Sequence, residues 1–285
     1  MNEPNHASAT GTEPRKAQSE FLTRVISACF MAVFAIAAVL AGSWAFALLV
    51  IVAGLIVNWE WARMVRGSGH DKLALMQGAA LLAIVVLTET ARYLEATAVL
   101  GLAVVATILM SYRKHMLPWS LAGLAYFLLP AMALIWLRSD PEYGTVALLF
   151  VMVIAWTADS AAYVGGRLIG GPKLAPRISP KKTWAGFASG VFFSALVGIL
   201  AGAFLLESNA IALGLVAIVL ALAGILGDLL ESGVKRRFNA KDTSSLIPGH
   251  GGLLDRIDGL LIASLAAAAI GFRDMAAPGQ GLIQW

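Results

Sequence analysis

The chain reads as an all-α, polytopic integral membrane protein with about nine transmembrane helices and a cytoplasmic N-terminus. Three observations predict this. Of 285 residues, 59% are hydrophobic and only 13% charged, whereas an ordinary soluble domain is roughly 25% charged. Apolar runs recur at the length that crosses a bilayer core, about 20 residues. Lysine and arginine sort to alternate segments between those runs. The 21 Lys+Arg against 17 Asp+Glu leave a formal charge of +4, too small an excess to argue for nucleic acid and suited to loops facing anionic lipid. A single cysteine, Cys29, excludes an intramolecular disulfide and thiolate metal sites. Any metal is then a hard cation held by oxygen, or one served by four histidines.

Residues 1–20 are polar and rich in Ser, Thr, Pro and Ala, and are expected to form a flexible cytoplasmic tail. No cleaved signal peptide is indicated, because the first apolar run starts near Phe21 and is long enough to span. The nine runs lie near 22–42, 44–62, 73–88, 94–111, 117–137, 143–164, 185–206, 210–230 and 257–275. The third is short, and only Gly42 and Ser43 part the first two. With the N-terminus inside, eighteen of the 21 Lys+Arg fall on the inner side, all but Arg92, Arg138 and Arg273, and the C-terminus is outside. The chain divides into the tail, N-terminal transmembrane helices over 21–140, and a C-terminal transmembrane region over 141–285, expected to carry the chemistry, with cytoplasmic loops at 165–184 and 231–256. Trp44, Trp59, Trp61, Trp119 and Trp136 fit interfacial anchors, and Glu60 a helix-end group. His70 and His115 lack ligand spacing.

The polar residues that need explaining lie between 156 and 258. From Glu231 to Asp258 the chain combines five basic residues, four carboxylates, a histidine and the turn Pro248-Gly249-His250-Gly251-Gly252. No apolar core needs these groups, and they suit a polyphosphate and metal site. Asp255 and Asp258 share a helix face if a helix starts there, and magnesium asks for one or two carboxylates plus phosphate oxygens. Gly251 and Gly252 allow backbone amides close to a phosphate, and a helix starting beyond them offers its amide dipoles to an anion. Asp228 sits at the end of the eighth run, where an ionised carboxylate costs roughly 2.5–3.5 kcal/mol on insertion scales. A divalent cation shared with Asp255, or a loop arginine, offsets that cost unless the side chain merely snorkels; Ser232 follows at i+4. Asp159, with Tyr163 at i+4 and Thr157 and Ser160 beside it, makes a polar stripe that either binds a cation or nucleotide or supports helix packing. In the basic loop after it, Ser179, Lys181, Lys182 and Thr183 can clamp phosphates; the competing reading is contact with anionic lipid. No P-loop, G-x-S-x-G, H-E-x-x-H or dinucleotide glycine pattern is present.

Ser232, Lys235, Arg236, Lys241, Asp242, Pro248, His250, Gly251, Gly252, Asp255, Arg256 and Asp258 fit the pattern S-x-x-K-R-x4-K-D-x5-P-x-H-G-G-x2-D-R-x-D, twelve fixed positions in 27 residues. That pattern resembles the signature of the phosphatidate cytidylyltransferases, or CDP-diacylglycerol synthases. The Asp159 helix and the Ser179–Gly186 loop resemble the family in the same order, so the likeness covers 150–275 well, and the N-terminal half only in having hydrophobic spans. The resemblance implies a nucleotidyltransferase of phospholipid biosynthesis that joins CTP to phosphatidate, releasing pyrophosphate, in the cytoplasmic (inner) membrane of a bacterium. It implies magnesium, with a second, monovalent cation as an option, and a nine-helix homodimer. It makes Asp228 and Asp255 metal ligands, with Asp159 as a further candidate and Asp258 near them. Lys235, Arg236, Lys241, His250 and Arg256 become phosphate or nucleotide contacts. One departure stands out: Ala185 occupies the place where the family usually has Glu or Gln.

The chemistry agrees independently. A phosphate monoester, with a second pKa near 6, is largely a dianion at pH 7 and needs no strong base. The difficulty is bringing it to an anionic α-phosphorus, which calls for magnesium and basic side chains. A CTP-dependent lipid kinase is the nearest alternative, and a proton- or sodium-coupled transporter using Asp159 and Asp228 is a more distant one. The pattern of a CDP-alcohol phosphotransferase is not present.

Overall fold

The computed structural model describes residues 13–111, 116–247 and 251–285, with backbone alone for 13–25. In order the elements are α1 (Glu13–Leu40), α2 (Ser43–Arg66), α3 (Lys72–Glu89), α4 (Tyr93–Ser111), α5 (Leu117–Arg138), α6 (Gly144–Leu168), β1 (Lys173–Ala175), β2 (Ser179–Thr183), α7 (Trp184–Phe204), α8 (Ala210–Arg237), α9 (Leu254–Gly271), a 3₁₀ turn (Phe272–Asp274) and α10 (Pro278–Ile283). Among the described residues seven helices, α2 to α8, are long and apolar enough to cross a membrane. The other two expected runs fall on α1, whose described apolar part is Ile26–Leu40, and on α9, whose start carries Asp255, Arg256 and Asp258.

Three boundaries differ from the sequence reading. Helix α1 begins at Glu13, inside the expected tail, because Pro14 is tolerated in a first turn and Lys16, Ala17, Gln18 and Glu20 favour helix. Helix α8 runs on to Arg237, so Glu231, Ser232, Lys235 and Arg236 are helical where a loop from 231 was expected. Glu231 and Lys235 pair at i,i+4 across 2.7 Å, and three basic residues in the last turn complement the helix dipole. Helix α6 likewise persists to Leu168, and the basic segment after it is a two-stranded antiparallel hairpin, Lys173 opposite Thr183 and Ala175 opposite Ser179. The all-α expectation is corrected to that extent. β1 is only three residues long and β2 is Ser-Pro-Lys-Lys-Thr, so neither offers the apolar alternation by which a strand is recognised.

Helices α6 to α9 approach closely through small residues, as membrane helices do. A Cβ added to Gly190 of α7 would lie 2.9 Å from the Ala158 carbonyl oxygen of α6, and one added to Gly224 of α8 would lie 3.6 Å from that of Gly259 on α9. Asp228 is one turn from that second crossing on α8, and Asp255 one turn from it on α9. In the N-terminal half, polar side chains tie helices together: Asn58 donates to the Ala74 carbonyl at 2.8 Å, and Gln77 reaches Thr107 Oγ1 and the Ser120 carbonyl at 3.3 Å each. Trp61 is not an interfacial anchor. It is 3% exposed, stacks on Tyr126, and donates to the Trp119 carbonyl at 2.9 Å.

Candidate active site

At one end of α6, α8 and α9 a cavity of about 570 Å³ opens, lined by the hairpin on one side. Thr183 closes the hairpin and starts α7, its Oγ1 accepting from Gly186 N at 3.1 Å; that N-cap fixes where the strand ends and the helix begins. β2 thereby delivers Lys181 and Lys182 to the cavity wall. Lys182 Nζ stands 2.6 Å from Asp228 Oδ2, while Ser232 Oγ donates to Asp228 Oδ1 at 3.3 Å. The loop cation, here a lysine, thus offsets the charge of Asp228.

Opposite lies a row of alternating charges. Lys235 Nζ sits 2.7 Å from Glu231 and 2.8 Å from Asp255 Oδ1. Asp255 Oδ2 accepts from Gly252 N at 2.7 Å, Thr243 N at 2.9 Å and Thr243 Oγ1 at 3.0 Å. Asp159, Arg256 and Asp258 also line the cavity.

Of the residues expected from sequence, Asp159, Lys181, Lys182, Thr183, Asp228, Lys235, Asp255, Arg256 and Asp258 line this one cavity. The polar stripe of α6 divides: Asp159 and Tyr163 face the cavity, whereas Thr157 and Ser160 line a shallow groove beside Trp156 and Phe193. Ser179 pairs with Ala175 beside the hairpin's turn. Arg236 points away and braces the neighbourhood, donating to the Ile178 and Ala240 carbonyls at 3.4 and 3.2 Å; Lys241 is exposed. His250, with Pro248 and Gly249, lies outside the described residues.

The glycine pair does a different job from the one expected. Gly251 has φ +85°, a conformation other residues adopt at a cost, and it closes a bridge in which Ile247 N donates to its carbonyl at 2.8 Å. Gly252 gives its amide to Asp255, not outward to a phosphate. The start of α9 does take an anion, but that anion is Glu60: the amides of Leu253 and Leu254 donate to its carboxylate at 2.9 and 2.7 Å.

Magnesium suits the donors present, which are hard carboxylate oxygens. Among the described residues no three Asp, Glu, His or Cys side chains form a ready ligand set, and magnesium needs none, since one or two carboxylates plus substrate phosphates and water suffice. Asp159 and Asp228 line the cavity, Asp228 with Lys182 on Oδ2 and Ser232 on Oδ1. Both Asp255 oxygens are already engaged by donors, with the Lys235 ammonium standing where a cation would bridge Asp255 and Glu231.

Sequence reasoning passed over Glu60, Glu231 and Thr243. Glu60 was legible as a charge inside the apolar run Asn-Trp-Glu-Trp, but its partners lie more than 180 residues away. Glu231 was readable as one i,i+4 partner of Lys235 once α8 was extended.

Fold and site define a polytopic membrane protein with a cation-rich cavity suited to phosphate groups. Residues 22–272 match the cytidylyltransferase family, and the chain belongs to it, as an enzyme of nucleotidyl transfer. It is 35% identical over 246 residues to the phosphatidate cytidylyltransferase of Brucella suis biovar 1, covering 86% of this chain and 91% of that protein. The protein of the same name from Rickettsia bellii is 41% identical over 151 residues, 50% of this chain and 65% of its own. That of Staphylococcus epidermidis is 37% identical over 196 residues, 66% and 74% respectively.

Proposed function

We propose that this enzyme is a phosphatidate cytidylyltransferase, converting CTP and phosphatidate to CDP-diacylglycerol and pyrophosphate. The observation that carries the reading is the convergence of Lys181, Lys182, Lys235 and Arg256 with four aspartates on one cavity at a common end of the helices. That is the arrangement needed to hold two polyanions in line. A phosphatidate oxygen attacks the α-phosphorus of CTP, and the bond from that phosphorus to the β-phosphate bridging oxygen breaks as pyrophosphate leaves with the electron pair. Lys182 and Lys235 are the side chains placed to exchange their carboxylate partners for phosphate oxygens, and Arg256 adds fixed charge. Asp228 and Asp255, with Asp159 and Asp258 near, would hold magnesium, which when bound neutralises phosphate charge and polarises the reacting phosphoryl group. A monovalent cation is a candidate for a second site among the same carboxylates.

The proposed setting is the inner membrane of a bacterium, with the N-terminus and the cavity on the cytoplasmic side, α1 and α9 completing nine spans, and two copies forming a homodimer. Lipid chains then stay in the bilayer while the head group meets soluble CTP at the interface, and no nucleic acid is involved. The test is product analysis with purified protein, phosphatidate and CTP labelled separately in cytosine and γ-phosphate, with and without magnesium. Magnesium-dependent transfer of the cytosine label to lipid is expected. Transfer of the γ-label with release of CDP would replace this reading by a lipid kinase, and movement of neither label would remove it.

A further inference from the structure

Glu60 is a buried charge that the transfer chemistry leaves without a task. It lies near the end of α2, in the half of the chain that carries none of the signature, and is 0% exposed. Its carboxylate takes three donors, Ser244 Oγ at 2.6 Å and Leu253 N at 2.9 Å to Oε1 and Leu254 N at 2.7 Å to Oε2, and the Thr243 hydroxyl, whose one hydrogen is shared with Asp255, lies 3.3 Å from Oε2. Two of these are otherwise orphan amides at the start of α9, where an anion is also favoured by the helix dipole. A carboxylate buried to this degree is tolerated only with such donors.

Thr243 is shared. Its amide and hydroxyl donate to Asp255 Oδ2 at 2.9 and 3.0 Å, while the hydroxyl also faces Glu60. Glu60 and Asp255 therefore grip one residue from two sides. Gly252 fills the space between them, since a Cβ there would run into Thr243 Oγ1 and Glu60 Oε1. Asp255, Arg256 and Asp258 follow directly on the two amides that Glu60 holds.

We propose that Glu60 is a positioning residue for nucleotidyl transfer: from α2 it fixes Thr243 and the start of α9 in the arrangement that presents Asp255, Arg256 and Asp258 to the cavity. This rests on the cytidylyltransferase reading, and it makes the N-terminal half part of the catalytic apparatus. In full-length protein in detergent, Glu60→Gln keeps the side chain's size but turns an amide NH₂ toward backbone donors. The expected result is a loss of about 10- to 100-fold in kcat/KM for CTP, with the phosphatidate KM within about twofold and the unfolding temperature lowered, because a buried donor then faces a donor. Amide hydrogen exchange over 243–255 should accelerate while that at the α3 N-cap does not. Glu60→Asp, which keeps the charge, should recover part of the activity. Ser244→Ala removes only the 2.6 Å bond and should shift both readouts in the same direction, less far.

Wild-type kcat/KM for CTP per folded Glu60→Gln molecule, or unaltered exchange over 243–255, would overturn the proposal. If Glu60→Gln fails to insert, Ser244→Ala decides, and unaltered kinetics and exchange in that variant would overturn it equally. A wild-type protein that makes no CDP-diacylglycerol would sink the activity reading, while the exchange data would still show whether Glu60 holds the loop.

Discussion

Asp255 and Gly252 show how much a single residue carries in this site. Asp255 is the acceptor for Lys235, Thr243 and Gly252 at once, so Asp255→Asn would turn an amide NH₂ toward one of those donors and remove the negative charge from the site. Turnover is expected to vanish while the protein stays inserted and folded, which activity assays alongside size-exclusion chromatography will show. Retained near-normal activity would remove Asp255 from the catalytic role. Gly252→Ala puts a methyl group where Thr243 and Glu60 already are. Overpacking of this kind costs roughly 1–3 kcal/mol, so a lowered midpoint of thermal unfolding is expected together with weaker CTP use.

The hairpin and α7 act as one element because Thr183 belongs to both. Its hydroxyl caps α7 through Gly186 N, and the adjacent Lys182 reaches Asp228. Thr183→Ala should therefore cost about 1 kcal/mol of stability and also raise the CTP KM, because freeing the end of β2 lets Lys182 leave its place. A thermal melt paired with steady-state kinetics checks both; a shifted melt with unchanged KM would mean that Lys182 is held by other contacts. The hairpin was hidden in the sequence because β1 is only three residues long and β2 is polar throughout, so neither period 2 nor period 3.6 marks it. The extension of α8 was more legible, since Glu231 and Lys235 carry an i,i+4 pairing that reading the segment as loop ignored.

Over the whole molecule, the sorting of lysine and arginine makes a topological claim. In a Cys29→Ser background, a cysteine at Lys241 should react with a membrane-impermeant maleimide only in inside-out vesicles, and one at Arg273 only in intact spheroplasts. The opposite pattern would invert the proposed orientation and move the cavity away from cytoplasmic CTP.

Much of the fold and site was readable from residue order alone. Apolar run length marks the spans α2 to α8, since a span is a local property of about 20 consecutive residues. The signature between Ser232 and Asp258 singled out Lys235, Asp255, Arg256 and Asp258, and all four line the one cavity. What the order could not determine was which donor meets which acceptor. The amides of Gly252, Leu253 and Leu254 look free for phosphate in sequence, yet tertiary structure assigns them to Asp255 and Glu60. Glu60 and Leu254 are 194 residues apart, and no local period links them. A buried carboxylate is stable only where folding brings donors to it, so its role was decided by the packing of α2 against the loop and not by the residues around it in the chain.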